Sequence, residues 1–164
     1  MRIILILILL SFAFSQPYSE LQQIINESSS VTFSIDISDD NQILVSGNYD
    51  NHAHIYRKSN NLFSHNQTTP ISQDDVDVAD ITADGQYLLV IEWLALEVII
   101  YKNLNDQFSE EFSLEPADGS VNMCAGAITD DHEWVVIATW TFQNVEVYNF
   151  QNQNYTLNQT FSVT

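Results

Sequence analysis

Basic residues are scarce: 4 Lys and Arg stand against 22 Asp and Glu, a net charge of −18 over 164 residues. A surface of that sign repels phosphate, which disfavours nucleic acid and anionic membrane as partners. It favours a cationic ligand, Ca²⁺ or a basic protein. The single cysteine, Cys124, has no intrachain partner, so no disulfide framework is available. It sits in the apolar run 121–128, where a buried, inert thiol is expected. The apolar run 3–14 falls short of the ~20 residues needed to span a bilayer. No G-x-S-x-G, Walker loop, Gly-rich phosphate loop or H-E-x-x-H occurs, so no catalytic residue and no cofactor is expected. An apolar share of 45% still suffices for one domain with a real core.

Residues 1–15 read as a signal peptide. Arg2 supplies the positive end, 3–10 the apolar segment, and Ala13-Phe14-Ser15 a small-x-small site with cleavage between Ser15 and Gln16. An uncleaved signal anchor, tethering the chain to a membrane, is the alternative. Secretion makes four sequons interpretable as N-glycosylation sites: Asn26, Asn66, Asn154 and Asn158.

A repeat organises the rest. Asp40, Asp84 and Asp131 each sit in a turn and are spaced 44 and 47 residues apart. Each precedes an apolar run, a second turn and an aliphatic-Tyr pair ending at Tyr56, Tyr101 and Tyr148. A further aromatic follows seven residues later, at Phe63, Phe108 and Tyr155. β-Branched and aromatic residues dominate, turn residues punctuate at short spacing, and no helical period stands out. Each unit therefore reads as four short strands. The stretch 87–101 would pass for a buried helix alone, but the register splits it into two strands around Trp93-Leu94-Ala95.

The expected fold is all-β: a β-propeller fragment of about three four-stranded antiparallel blades plus one leading strand. The blades are expected at 31–73, 74–118 and 119–164. Residues 16–30 form the leading strand, because 18–24 resembles 108–114 and Tyr18 precedes Asp40 by 22 residues. That strand belongs to a blade the chain does not supply. A truncated product, or self-association through open blade edges, is the expected consequence.

The first unit, DDNQILVSGNYDNHAHIYR, resembles a WD repeat, with Ser46-Gly47, Asp50 and Tyr56-Arg57 at the family's positions. The pattern departs from the family: no Gly-His precedes a first strand, no Trp-Asp closes a third, and Asp50 has no later counterpart. The family's hydrogen-bonded tetrad is therefore incomplete. The resemblance implies a blade-forming scaffold for binding, with no inherited active site. FG-GAP-type propellers are a second resemblance, and these often hold Ca²⁺ on a D-x-D-x-D-G loop. Asp74, Asp75, Asp77 and Asp80 form an acidic run, but without that spacing or its glycine. A solvated acidic loop between blades is the expected state, and no metal site is assigned.

His52 and His54 share one face of a strand, which without a third ligand points to ordinary cross-strand histidines rather than zinc. The repeat itself supplies the ligand site. Nine residues after each turn aspartate stand Tyr49, Trp93 and Trp140, all at the hairpin between second and third strands. Converging at a channel mouth, they would stack on a sugar or on an apolar or cationic peptide. Packing between blades is the competing role. The expected function is a secreted, non-catalytic binding or scaffold propeller for protein or glycan ligands. A Ca²⁺-stabilised adhesion propeller and an incomplete hydrolase-type propeller enzyme are the alternatives.

Overall fold

The computed structural model describes residues 30–70, 74–94, 97–117, 119 and 122–162. The leader, the leading strand around Tyr18 and the Asn26 sequon lie outside the described residues. Twelve strands and no helix are present among them. They fall in chain order into three four-stranded antiparallel sheets. The first holds β1 (Thr32–Ile37), β2 (Ile43–Asn48), β3 (His52–Ser59) and β4 (Leu62–Thr68). The second holds β5 (Val76–Ile81), β6 (Tyr87–Glu92), β7 (Val98–Leu104) and β8 (Gln107–Leu114). The third holds β9 (Met123–Ile128), β10 (Trp134–Thr139), β11 (Asn144–Gln151) and β12 (Asn154–Ser162). The stretch 87–101 divides into β6 and β7, as the repeat register requires.

The turn aspartates recur because each locks a β-turn with a hydroxyl two residues upstream. Ser38, Thr82 and Thr129 donate to Asp40, Asp84 and Asp131 at 2.7, 2.8 and 2.5 Å. Each carboxylate also accepts the backbone N–H two residues on, from Gln42, Gln86 and Glu133 at 2.9, 2.9 and 3.1 Å. Each hydroxyl accepts the N–H that opens the next strand, from Ile43, Tyr87 and Trp134. This is the local side-chain capping that makes Asp and Ser/Thr turn residues. The carboxyls of Asp40 and Asp131 are accordingly held below their ordinary value, first by the hydroxyl donor and then by the backbone donor.

The hairpins joining third to fourth strands have two-residue loops. Their pairs Asn60-Asn61, Asn105-Asp106 and Asn152-Gln153 all take positive φ, between 51° and 68°. That conformation matches the twist of the flanking strands and is tolerated best by Gly, Asn and Asp. With 4 glycines in the chain, asparagine carries this role. Each of these hairpins also carries a bulge near the middle of its third strand, after Ile55, Ile100 and Val147.

The core lies between the sheets. Ile43, Val45, Ala53 and Ile55 of the first pack against Ala79, Ile81, Leu88, Val90, Tyr101 and Phe108 of the second. Leu89, Ile91, Val98 and Ile100 of the second pack against Ile128, Val135, Ile137, Tyr148 and Tyr155 of the third. The repeat tyrosines are thus buried seam residues, and Tyr56 is buried as well. Polar clamps reinforce the seams. Asp36 accepts the Ile81 N–H at 2.9 Å, and its repeat counterpart Asp80 accepts the Ile128 N–H at 2.8 Å. Gln67 spans the outer rim, donating to the Phe108 carbonyl at 2.7 Å and accepting the Phe108 N–H at 2.8 Å. Gly47 permits the close approach at the first seam: a Cβ there would lie 2.6 Å from the Val76 carbonyl oxygen.

Two sequence expectations are corrected. The acidic run is not a loop throughout, since Asp77 and Asp80 lie within β5, Asp80 paired with Leu89 of β6 and Asp77 at the bulge between Val76 and Val78. Cys124 is exposed rather than buried. It sits on β9, the first strand of the third sheet, whose alternation turns Met123 inward instead.

Candidate functional site

Tyr49, Trp93 and Trp140 each follow the second strand of a sheet, at the start of the hairpin to the third. They do not form one platform. Tyr49 is 59% exposed and meets Phe33 edge-on, with ring centroids 6.1 Å apart. Trp93, partly buried, shares a cleft of about 300 Å³ with Phe33, Asp75 and Asp77. Trp140 is 67% exposed and lines a separate cavity of about 220 Å³ with Cys124, Ala138 and Val145. Phe33 therefore connects two of the three expected aromatics across the first seam. Sequence spacing missed it because Phe33 has no aromatic counterpart; the same register position holds Asp77 and Cys124.

The cleft combines two aromatic rings with two carboxylates. The Asp75 and Asp77 carboxyls are pushed above their ordinary value, first by desolvation and then by neighbouring acids: Asp74 for the former, Asp75 and Asp74 for the latter. A cation entering the cleft would relieve that repulsion and meet an aromatic face. The four acids of the run do not converge on one point, because Asp80 turns away to the second seam. Among the described residues no group of three His, Cys, Asp or Glu side chains is placed to hold a metal ion.

His52 and His54 take structural partners. The His52 ring lies 2.8 Å from the Thr69 carbonyl, and buried His54 pairs with Asp50 at 3.0 Å. That Asp50–His54 contact places the first unit's WD-like aspartate in a structural bond beside the hairpin. Of the sequons within the described residues, Asn66 lies on β4 and Asn154 and Asn158 on β12. All three are exposed.

No family model matches the sequence, and no curated protein does. Solved structures do. Sqt1 of Saccharomyces cerevisiae aligns with a TM-score of 0.68 at 14% identity, over 85% of this chain and 37% of that one. A protein from Lactobacillus plantarum aligns at 0.65 and 17% identity, over 81% and 42%. The Cps50 (Swd1) β-propeller domain of Myceliophthora thermophila aligns at 0.65 and 14%, over 81% and 43%. The chain thus spans about two fifths of the structures it matches. Three successive four-stranded antiparallel sheets in this arrangement make the chain a three-blade, WD-repeat-like segment of a β-propeller.

Proposed function

We propose that this chain is a secreted, non-catalytic binding module whose ligand is a basic segment of a partner protein. The observation that carries the reading is the cleft at the seam of the first two blades. Phe33 and Trp93 supply aromatic walls, and Asp75 and Asp77 supply paired negative charge. A lysine or arginine side chain satisfies both: its charge neutralises the carboxylates, and its stem and cationic head pack on the rings. The chain's net charge of −18 steers such a partner toward this surface. A neutral glycan would use the rings and leave the two acids uncompensated, so the basic segment fits better. The secretory part of the reading is supported by the leader-like residues 1–15 and by exposed sequons on outer strands.

The test is calorimetric titration with a short lysine-containing peptide and with the same peptide acetylated on lysine. The wild type binds the charged peptide, and acetylation abolishes binding. Trp93→Ala weakens binding by about tenfold, within the range of one desolvated cation–π contact. Equal binding of the acetylated peptide, or no effect of Trp93→Ala, overturns the proposal. Trp140→Ala, in the other cavity, leaves this binding unchanged.

A further inference from the structure

The two outer faces of the three-blade stack are the two halves of a seam that the chain already builds twice. In the second blade, Ala79, Ile81, Leu88, Val90 and Tyr101 face the blade before it, and all are buried. Counting from the turn aspartate and the third-strand tyrosine, the first blade places Ile35, Ile37, Leu44, Ser46 and Tyr56 at these positions. Here no blade precedes them among the described residues. Ile35 is 68% exposed and Ile37 41%, against 3% and 6% for Ala79 and Ile81. A shallow cavity lined by Ile35, Leu44, Ser46 and Tyr56 opens on this face.

The opposite face repeats the argument. The second blade presents Tyr87, Leu89, Ile91, Val98 and Ile100 to the third. The third blade carries Trp134, Val136, Ala138, Val145 and Val147 at the same positions, and all five are only partly buried. The rim clamp recurs as well. Gln67 stands opposite Ile55 on the paired strand, and Gln159 stands opposite Val147. Gln159 is thus placed to grip the backbone of Phe63, as Gln67 grips that of Phe108. In a chain with 22 acids, neither set of five includes a charged residue. One clamp is missing: Ala127 stands where Asp36 and Asp80 hold the next blade, so this seam relies on packing and on Gln159.

We propose that a second copy of this chain covers both faces. The first blade of each copy packs on the third blade of the other, closing a six-bladed ring of two chains. Six blades fall within the four to eight that propellers use, and head-to-tail contacts of this kind close when the rotation permits. This inference is independent of the ligand cleft, whose lining residues are not in either set.

Light scattering after size exclusion tests it. The wild type runs as a dimer. Ile35→Lys alone and Val147→Lys alone each run as monomers, because every seam of the ring uses one of each face. Mixed in equal amounts, the two variants recover a dimer, since one intact first-blade face meets one intact third-blade face. Circular dichroism and thermal melts identify any variant that fails to fold. In that case Gln159→Ala, which removes only the rim clamp, serves instead and raises the dimer dissociation constant by about tenfold. A monomeric wild type overturns the proposal. So does a Val147→Lys variant that stays dimeric, which would mean like faces pair, and so does an open polymer.

Discussion

At the residue scale, Asp80 is the most informative side chain. It sits in the second seam on β5, accepting the Ile128 N–H. Desolvation is the largest influence and pushes its carboxyl up to about 6; the Ile128 N–H donor comes next and lowers it, while the hydrogen bond and charge of Asp36 and the charge of Asp130 add smaller upward pushes. Asp36, which raises it, is itself the acid that accepts the Ile81 N–H at the first seam. The folded state binds the Asp80 proton more tightly than the unfolded chain. The stabilisation is therefore full below the unfolded value of 3.8 and is lost as pH rises through about 6. Asp80→Asn keeps an acceptor for Ile128 and removes the charge. The melting temperature of the variant should exceed that of wild type by about 2–4 °C at pH 7, allowing for partial exposure, with the gap closing by pH 4. A gap that does not change with pH would show that Asp80 is not the titrating group. Asp40 and Asp131 work in the opposite sense, their contribution being lost as pH falls, which is why the difference between variant and wild type is the quantity to follow.

At the element scale, hairpin chemistry sets register. The three loops between third and fourth strands use two consecutive positive-φ residues, and the bulges recur at equivalent positions. Gln153, at φ 65°, is the one residue of the six that lacks the short side chain suited to that conformation. Gln153→Gly should raise the melting temperature by about 2–4 °C, the equivalent of about 1 kcal/mol in a domain of this size. Asn61→Gly, starting from a tolerated residue, should change it by less than half as much. An unchanged or lower melting point for Gln153→Gly would mean that this turn is held by its neighbours rather than by local preference. These loops were legible as polar Asn-rich turns because Asn is the common occupant. The hydroxyl partners of the turn aspartates, Ser38, Thr82 and Thr129, also recur at a fixed offset of two residues before them, and the structure adds the bonds that make the offset matter.

At the scale of the whole molecule, the seams bury apolar side chains at about 1.5–3 kcal/mol each for the larger ones. The strongly acidic surface stays outside them. Asn66, Asn154 and Asn158 lie exposed on the fourth strands β4 and β12 and so stand away from both seam cores. Expression of the full chain in a eukaryotic secretory host should deliver protein to the medium, beginning at Gln16 and losing mass on enzymatic removal of N-glycans. Retention inside the cell without glycan would overturn the secretory reading.

The amino-acid sequence by itself determined the repeat, the strand count per unit and the division of 87–101 into two strands. Periodicity of 44–47 residues and local turn chemistry encode these directly. Tertiary structure alone decided which aromatics meet. Tyr49, Trp93 and Trp140 are equivalent in register, but each blade is surrounded differently. Trp93 faces Phe33 across a seam, while Trp140 lies on a blade with no neighbour beyond it among the described residues. Cys124 shares the register position of Phe33 and Asp77, but it lines the Trp140 cavity rather than a cleft between two blades. Equivalence along the chain specifies a residue's place within its blade. Only packing between blades specifies what that residue touches.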